Sequence, residues 1–98
     1  MATALRTVAA ENDLQEIAFY IAVHEGRPQV AQHNVAEIIA KCDFYAENPE
    51  LGTAAPHLGP DYRIFHYKRW VAIYRPIEDG IAVLRIVDGA RDYPTLFG

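Results

Sequence analysis

A chain of 98 residues sits at the lower edge of the roughly 100 to 200 residues of a typical domain, so residues 1–98 are expected to form one domain. Apolar residues at 51% and charged residues at 22% exclude the low-hydrophobicity profile of a disordered chain. The net charge of −4, from 9 Lys and Arg against 13 Asp and Glu, argues against a protein that lives by gripping nucleic-acid phosphates.

No stretch approaches the roughly 18 to 20 apolar residues that cross a bilayer, and MATALRTVAA lacks a basic leader ahead of a hydrophobic block. Both features predict a cytoplasmic protein with no membrane contact. The charge is uneven: residues 1–60 hold three bases against eight acids, whereas residues 61–98 hold six bases against five acids. A surface for an anionic partner would therefore lie among Arg63, Lys68, Arg69, Arg75, Arg85 and Arg91.

In chain order, Ala4–Val8 suits a short edge strand. Residues 10–24 place Ala10, Leu14, Ile17, Ala18 and Ile21 at helical spacing, with Glu11, Asp13 and Glu16 in the opening turns where the helix dipole favours negative charge. Gly26 can cap that helix and Pro28 can start another, which predicts a helical hairpin. The second helix, from about Pro28 to Glu47, carries Ala31, Val35, Ile38, Cys42 and Tyr45 on one stripe and stops at Asn48-Pro49. The apolar period then changes. Tyr62–Tyr67, Arg69–Ile77 and Ile81–Asp88 are rich in β-branched and aromatic residues and read as three strands. Asp79-Gly80 signals a tight hairpin between the last two, and the apolar run Ile81–Val87 suits a strand with neighbours on both sides. The expected fold is α+β in the order β-α-α-β-β-β, a helical hairpin packed on one face of a small antiparallel sheet, with the opposite face left open.

Few residues point to catalysis. The single cysteine, Cys42, lies on an inward stripe and reads as a small hydrophobe. His24, His33, His57 and His66 have no metal-ligand spacing and no cysteine pair beside them, so no metal or other cofactor is expected. There is no phosphate-binding glycine loop and no nucleophile elbow.

Several segments together point further: Asp13-Leu14-x-x-Ile17-x-x-Tyr20-Ile21, Asn48-Pro49-x-Leu51-Gly52, Tyr62-Arg63, Trp70-Val71-Ala72-Ile73-Tyr74-Arg75, and Leu84-Arg85-Ile86-Val87-Asp88-Gly89-Ala90-Arg91-Asp92. In this order, across Leu5 to Phe97, the sequence resembles a ParE-type toxin of the RelE/ParE superfamily. The resemblance implies a bacterial type II toxin, a growth inhibitor that serves plasmid stabilisation, bound by a cognate ParD-like antitoxin of the ribbon-helix-helix class. The toxin would meet DNA only through that antitoxin, in a hetero-oligomer. It also implies one of two activities, poisoning of DNA gyrase or RelE-like cleavage of mRNA on the ribosome.

RNA cleavage requires bases that converge on the scissile phosphate and a group that moves a proton. Of the positions the resemblance supplies, Arg63 and Arg91 are basic, but Phe65 and Val71 stand where further bases belong and Phe97 replaces a catalytic tyrosine. The departures favour gyrase poisoning. A nuclease would have to use Arg63 and Arg91 with Tyr93 or His66, and a third possibility is a harmless module that only binds an antitoxin. Arg63, Trp70, Arg75, Arg91, Asp92, Tyr93 and Phe97 are the candidate contacts for target or antitoxin. Four of them have a plainer reading as well: Arg63 and Arg91 as solvated charges, Arg91-Asp92 as a local ion pair, and Trp70 as core.

Overall fold

The computed structural model describes residues 2–89. The chain opens with strand β1 (Thr3–Arg6) and helix α1 (Val8–Phe19), extended by a π-helical turn over Tyr20–His24, and folds back as α2 (Pro28–Glu47). A 3₁₀ turn over Pro49–Leu51 leads to the two-residue strand β2 (Thr53–Ala54), then β3 (Arg63–Tyr67), β4 (Trp70–Ile77) and β5 (Gly80–Asp88). The five strands lie in the order β1-β5-β4-β3-β2, so β5 has neighbours on both sides as expected.

Thr7 decides where the first strand ends. Its hydroxyl accepts from Ala10 N at 3.1 Å and caps α1, while the same oxygen donates to Leu84 O at 2.8 Å. The strand expected over Ala4–Val8 therefore stops at Arg6, since Val8 already belongs to the helix. A second correction concerns direction. β1 runs parallel to β5, pairing Thr3 with Gly80 and Arg6 with Val83, and only the other pairings are antiparallel. The α1 crossing that follows β1 makes a parallel return geometrically available.

The helical hairpin turns as the composition predicts. Gly26 takes a φ of 64°, Pro28 occupies the first turn of α2, and Asn48 Nδ2 closes its end by donating to Phe44 O at 2.9 Å. Ala10, Leu14, Ile17 and Ile21 of the first helical segment meet Ala31, Ile38, Cys42 and Ala46 of α2 over Phe65, Trp70, Tyr74, Ile81 and Val83 of the sheet. Tyr45 stacks on Phe65 with ring centroids 4.6 Å apart. The buried Tyr74 ties this core to the turn after α2, donating its hydroxyl to Pro49 O at 2.6 Å and accepting from Gly52 N at 3.0 Å. A Cβ on Gly52 would collide with that hydroxyl, so glycine is required at this close approach.

The opposite sheet face is not left open as expected. Residues 55–62 fold across it, with Ala55 N donating to Tyr62 O at 2.8 Å, and bury Ala55 and Leu58 against Ile64, Val71 and Ile73. The Pro- and Gly-rich composition of this segment reads as a connector, yet its two apolar side chains form a second, smaller core. Among the described residues no helix is long and apolar enough to cross a membrane.

Candidate functional site

The candidate residues separate rather than converge. Arg63 begins β3, and its Nη1 donates to the main-chain oxygens of Gly52 at 2.7 Å and Glu50 at 3.2 Å. The guanidinium thereby fastens the turn after α2 to the sheet. It also lines a shallow groove with Glu50, Asp61, Tyr62 and Pro76, where two acidic residues oppose any anion that would approach the arginine. Arg75 lies next to Tyr74 on β4; because Tyr74 is packed toward the helices, strand alternation sends the exposed Arg75 to the other side of the sheet. Trp70 is 8% exposed and belongs to the helix-side core. His66 is exposed on β3. Arg91, Asp92, Tyr93 and Phe97 lie outside the described residues.

A different group of side chains gathers at the opposite end of β3, four residues or roughly 13 Å along the strand from Arg63. The β3–β4 turn is made by Lys68, at a φ of 53°, and Arg69. Arg69 pairs with Asp88 at 2.8 Å and its main-chain oxygen accepts from Gly89 N at 2.7 Å, which holds the end of β5 to the start of β4. The Arg69 guanidinium lies 5.6 Å from the ring centres of both Tyr20 and Trp70, within cation–π range. Tyr20 in turn stacks on His24 at 5.1 Å, His24 meets the edge of Phe19 at 6.0 Å, and Trp70 stacks on Tyr67 at 6.4 Å. Lys68 Nζ and the Tyr67 hydroxyl both donate to Asn34 Oδ1, at 2.9 and 3.1 Å. The π-helical turn accommodates this cluster: Glu25 N reaches back five residues to Tyr20 O at 3.2 Å. Sequence reasoning places Arg69 among the C-terminal bases, Tyr20 in a motif and His24 among histidines without ligand spacing, but it does not bring the three together and passes over Phe19. The signal that could have found them is the apolar pair Phe19 and Val23, one turn apart on the polar side of the helix.

Asp13 and Arg85, both within the quoted motifs, form a bidentate pair at 2.8 and 3.0 Å. Asp13 Oδ2 also accepts from Ile86 N at 2.8 Å. Hydrogen bonding to Asp13 raises the pKa of Arg85 further, against the opposing effect of burial. Burial pushes the Cys42 thiol up to about 11, which removes it as a nucleophile at neutral pH. Among the described residues no three His, Cys, Asp or Glu side chains gather closely enough to hold a metal ion.

The sequence profile of the family described as "ParE toxin of type II toxin-antitoxin system, parDE" matches residues 5–93. A solved structure described as the chromosomal ParDE TA system from P. aeruginosa superposes with a TM-score of 0.74 at 24% identity, over 90% of this chain and 96% of that one. No curated protein matches the sequence.

Proposed function

The chain belongs to the ParE family of type II toxins, and from that premise we propose that it inhibits DNA gyrase by docking onto it and is held silent by an antitoxin encoded beside it. The observation that carries this choice is the employment of Arg63. Its Nη1 is spent on the oxygens of Gly52 and Glu50, and acidic Glu50 and Asp61 flank it. A phosphate approaching that arginine would meet like charge and a donor already engaged. Phe65, at a position where the resemblance calls for a base, is buried beneath Tyr45 and cannot reach RNA. A protein-docking toxin needs no such cradle.

The antitoxin would be a ParD-like ribbon-helix-helix protein, giving a cytoplasmic hetero-oligomer that reaches operator DNA through the antitoxin alone. Purified chain is expected to convert gyrase into a trapped cleavage complex or to block supercoiling, and to leave mRNA intact on translating ribosomes. Discrete transcript cuts with unaltered supercoiling would replace the gyrase reading with the nuclease one. If both assays are silent and expression without antitoxin is harmless, the chain is a binding module only.

A further inference from the structure

The face of the sheet away from the helices is covered unevenly. Ala55 and Leu58 lie over its β3–β4 half, where Ile64, Val71 and Ile73 are buried. The β5–β1 half is just as apolar, and Leu84 and Val87 border the same cluster. Ala4, Ile81 and Val83 pack toward the helices, so strand alternation turns Leu5 and its partner Ala82 to this side. Ala82, Leu84 and Val87 are half-buried, and Leu5 is 54% exposed. The chain also leaves β5 against this face. Gly89 N donates to Arg69 O at 2.7 Å, and a Cβ on Gly89 would stand 2.9 Å from Val71 Cγ2. Glycine lets the backbone pass that close to Val71.

Residues 90–98, outside the described residues, continue as Ala-Arg-Asp-Tyr-Pro-Thr-Leu-Phe-Gly. We propose that this segment turns back over β5 and covers Leu84, Ala82 and Leu5 of its own chain, with Tyr93 and Phe97 facing the sheet. Its length fits. Nine extended residues reach about 30 Å, and Ala82, paired with Leu5, lies seven residues or roughly 23 Å back along β5 from Gly89. Its composition fits as well. Pro94 biases Tyr93 toward an extended backbone, and in an extended run Tyr93 and Phe97, four apart, point to one side. Aromatic rings are large enough to take the apolar area that Leu5, Ala82 and Leu84 present to water. The charged side chains of the segment, Arg91 and Asp92, fall in the stretch that makes the turn, where they stay solvated. Tyr93 and Phe97 are thereby assigned to the cover of the sheet rather than to contacts with target or antitoxin.

Two measurements on the full chain test this, and neither involves gyrase or an antitoxin. In the first, a nitroxide is attached at position 98 of a C42A, G98C chain whose leucine and valine methyl groups are isotope-labelled, and line broadening is read by NMR. The Leu5 and Leu84 methyl signals are expected to lose most of their intensity and to regain it when the nitroxide is reduced. Val23, near the tip of the helical hairpin, should keep its signal. In the second, urea unfolding compares F97S and Y93S with F44S, all with Cys42 in place. Removing either ring from the cover is expected to raise the unfolding constant about tenfold or more. F44S removes a half-exposed ring on α2 and is expected to change that constant less than about threefold. F97S and L5S together should cost less than the sum of the two.

Full intensity at Leu5 and Leu84 with the nitroxide oxidised overturns the proposal, as does broadening of Val23 instead. So does wild-type unfolding of F97S and Y93S. Equal broadening of Leu5 in a mixture where nitroxide and isotope label sit on different chains overturns it too, since the segment would then cover a second copy.

Discussion

Arg85 on β5 reaches Asp13 on α1 across 72 positions of sequence, through two hydrogen bonds of 2.8 and 3.0 Å. The pair sits where β1 stops short of the end of β5. Beyond Val83 no strand pairs with that side of β5 among the described residues, and Thr7 and Asp13 take its Leu84 oxygen and Ile86 N–H instead. Asp13 thus substitutes for the missing strand as well as neutralising Arg85. Asp13→Ala should cost about 2 to 4 kcal/mol, because it leaves a part-buried guanidinium and a buried N–H without acceptors. Asp13→Asn keeps one acceptor and should cost less, about 1 to 2 kcal/mol. Urea unfolding measures both, and a loss below about 0.5 kcal/mol for the alanine variant would contradict this account.

The β4–β5 hairpin makes a separate prediction about two adjacent residues. Asp79 carries the left-handed φ, at 63°, whereas Gly80 has a φ of 151° and already pairs with Ile77 and Thr3. A Cβ at Gly80 would strike the Thr3 carbonyl. Gly80→Ala should therefore push β1 off the sheet and cost about 2 to 4 kcal/mol. Asp79→Gly should be neutral or stabilising by up to about 1 kcal/mol, since it relieves the positive φ. Equal effects of the two substitutions in thermal melts would show that the glycine serves only the turn.

These two sites show what local pattern can and cannot reveal. Apolar spacing was enough to place Ala10, Leu14, Ile17 and Ile21 against Ala31, Ile38 and Cys42, because the period of each helix dictates its inward side. The Asp79-Gly80 hairpin was equally readable. The reason for Gly80 was not, since it lies in the approach of β1, which is distant in sequence. Asp13 looked like a dipole-stabilising acid for the same reason: its partner Arg85 is remote. The 55–62 segment was missed because a connector's turn residues mask two core positions, Ala55 and Leu58. At the candidate site, the resemblance gave Arg63 the look of a phosphate ligand, and only geometry disclosed its tie to Gly52 and Glu50.

Arg63 should behave as a structural residue. Arg63→Met removes two hydrogen bonds to main-chain oxygens from a partly exposed position, and a stability loss of about 1 to 2 kcal/mol is expected. Assayed well below its melting temperature, the folded variant should inhibit gyrase within about threefold of wild type, a difference of less than 1 kcal/mol. A loss of inhibition beyond a hundredfold, with the fold intact by circular dichroism, would assign Arg63 to the target interface.

Alkaline pH should destabilise the fold through Cys42. The buried thiol keeps its proton up to about 11 in the folded chain, against an ordinary value of 9.0 once unfolded. Folding therefore favours the protonated form: the stabilising contribution is complete below pH 9 and lost progressively as the unfolded thiol ionises, until the folded thiol does so too near pH 11. The two-unit separation corresponds to about 2 to 3 kcal/mol over that window. Tyr74, whose pKa burial also raises, adds to the loss at the upper end, so the diagnostic quantity is a difference between variants. Cys42→Ala should be less stable than wild type at pH 7, through the small cavity it leaves. Its stability should then fall less steeply above pH 9, narrowing the gap as pH rises. Parallel pH profiles for the two proteins in urea titrations would show that the thiol ionises as readily in the folded state as in the unfolded one.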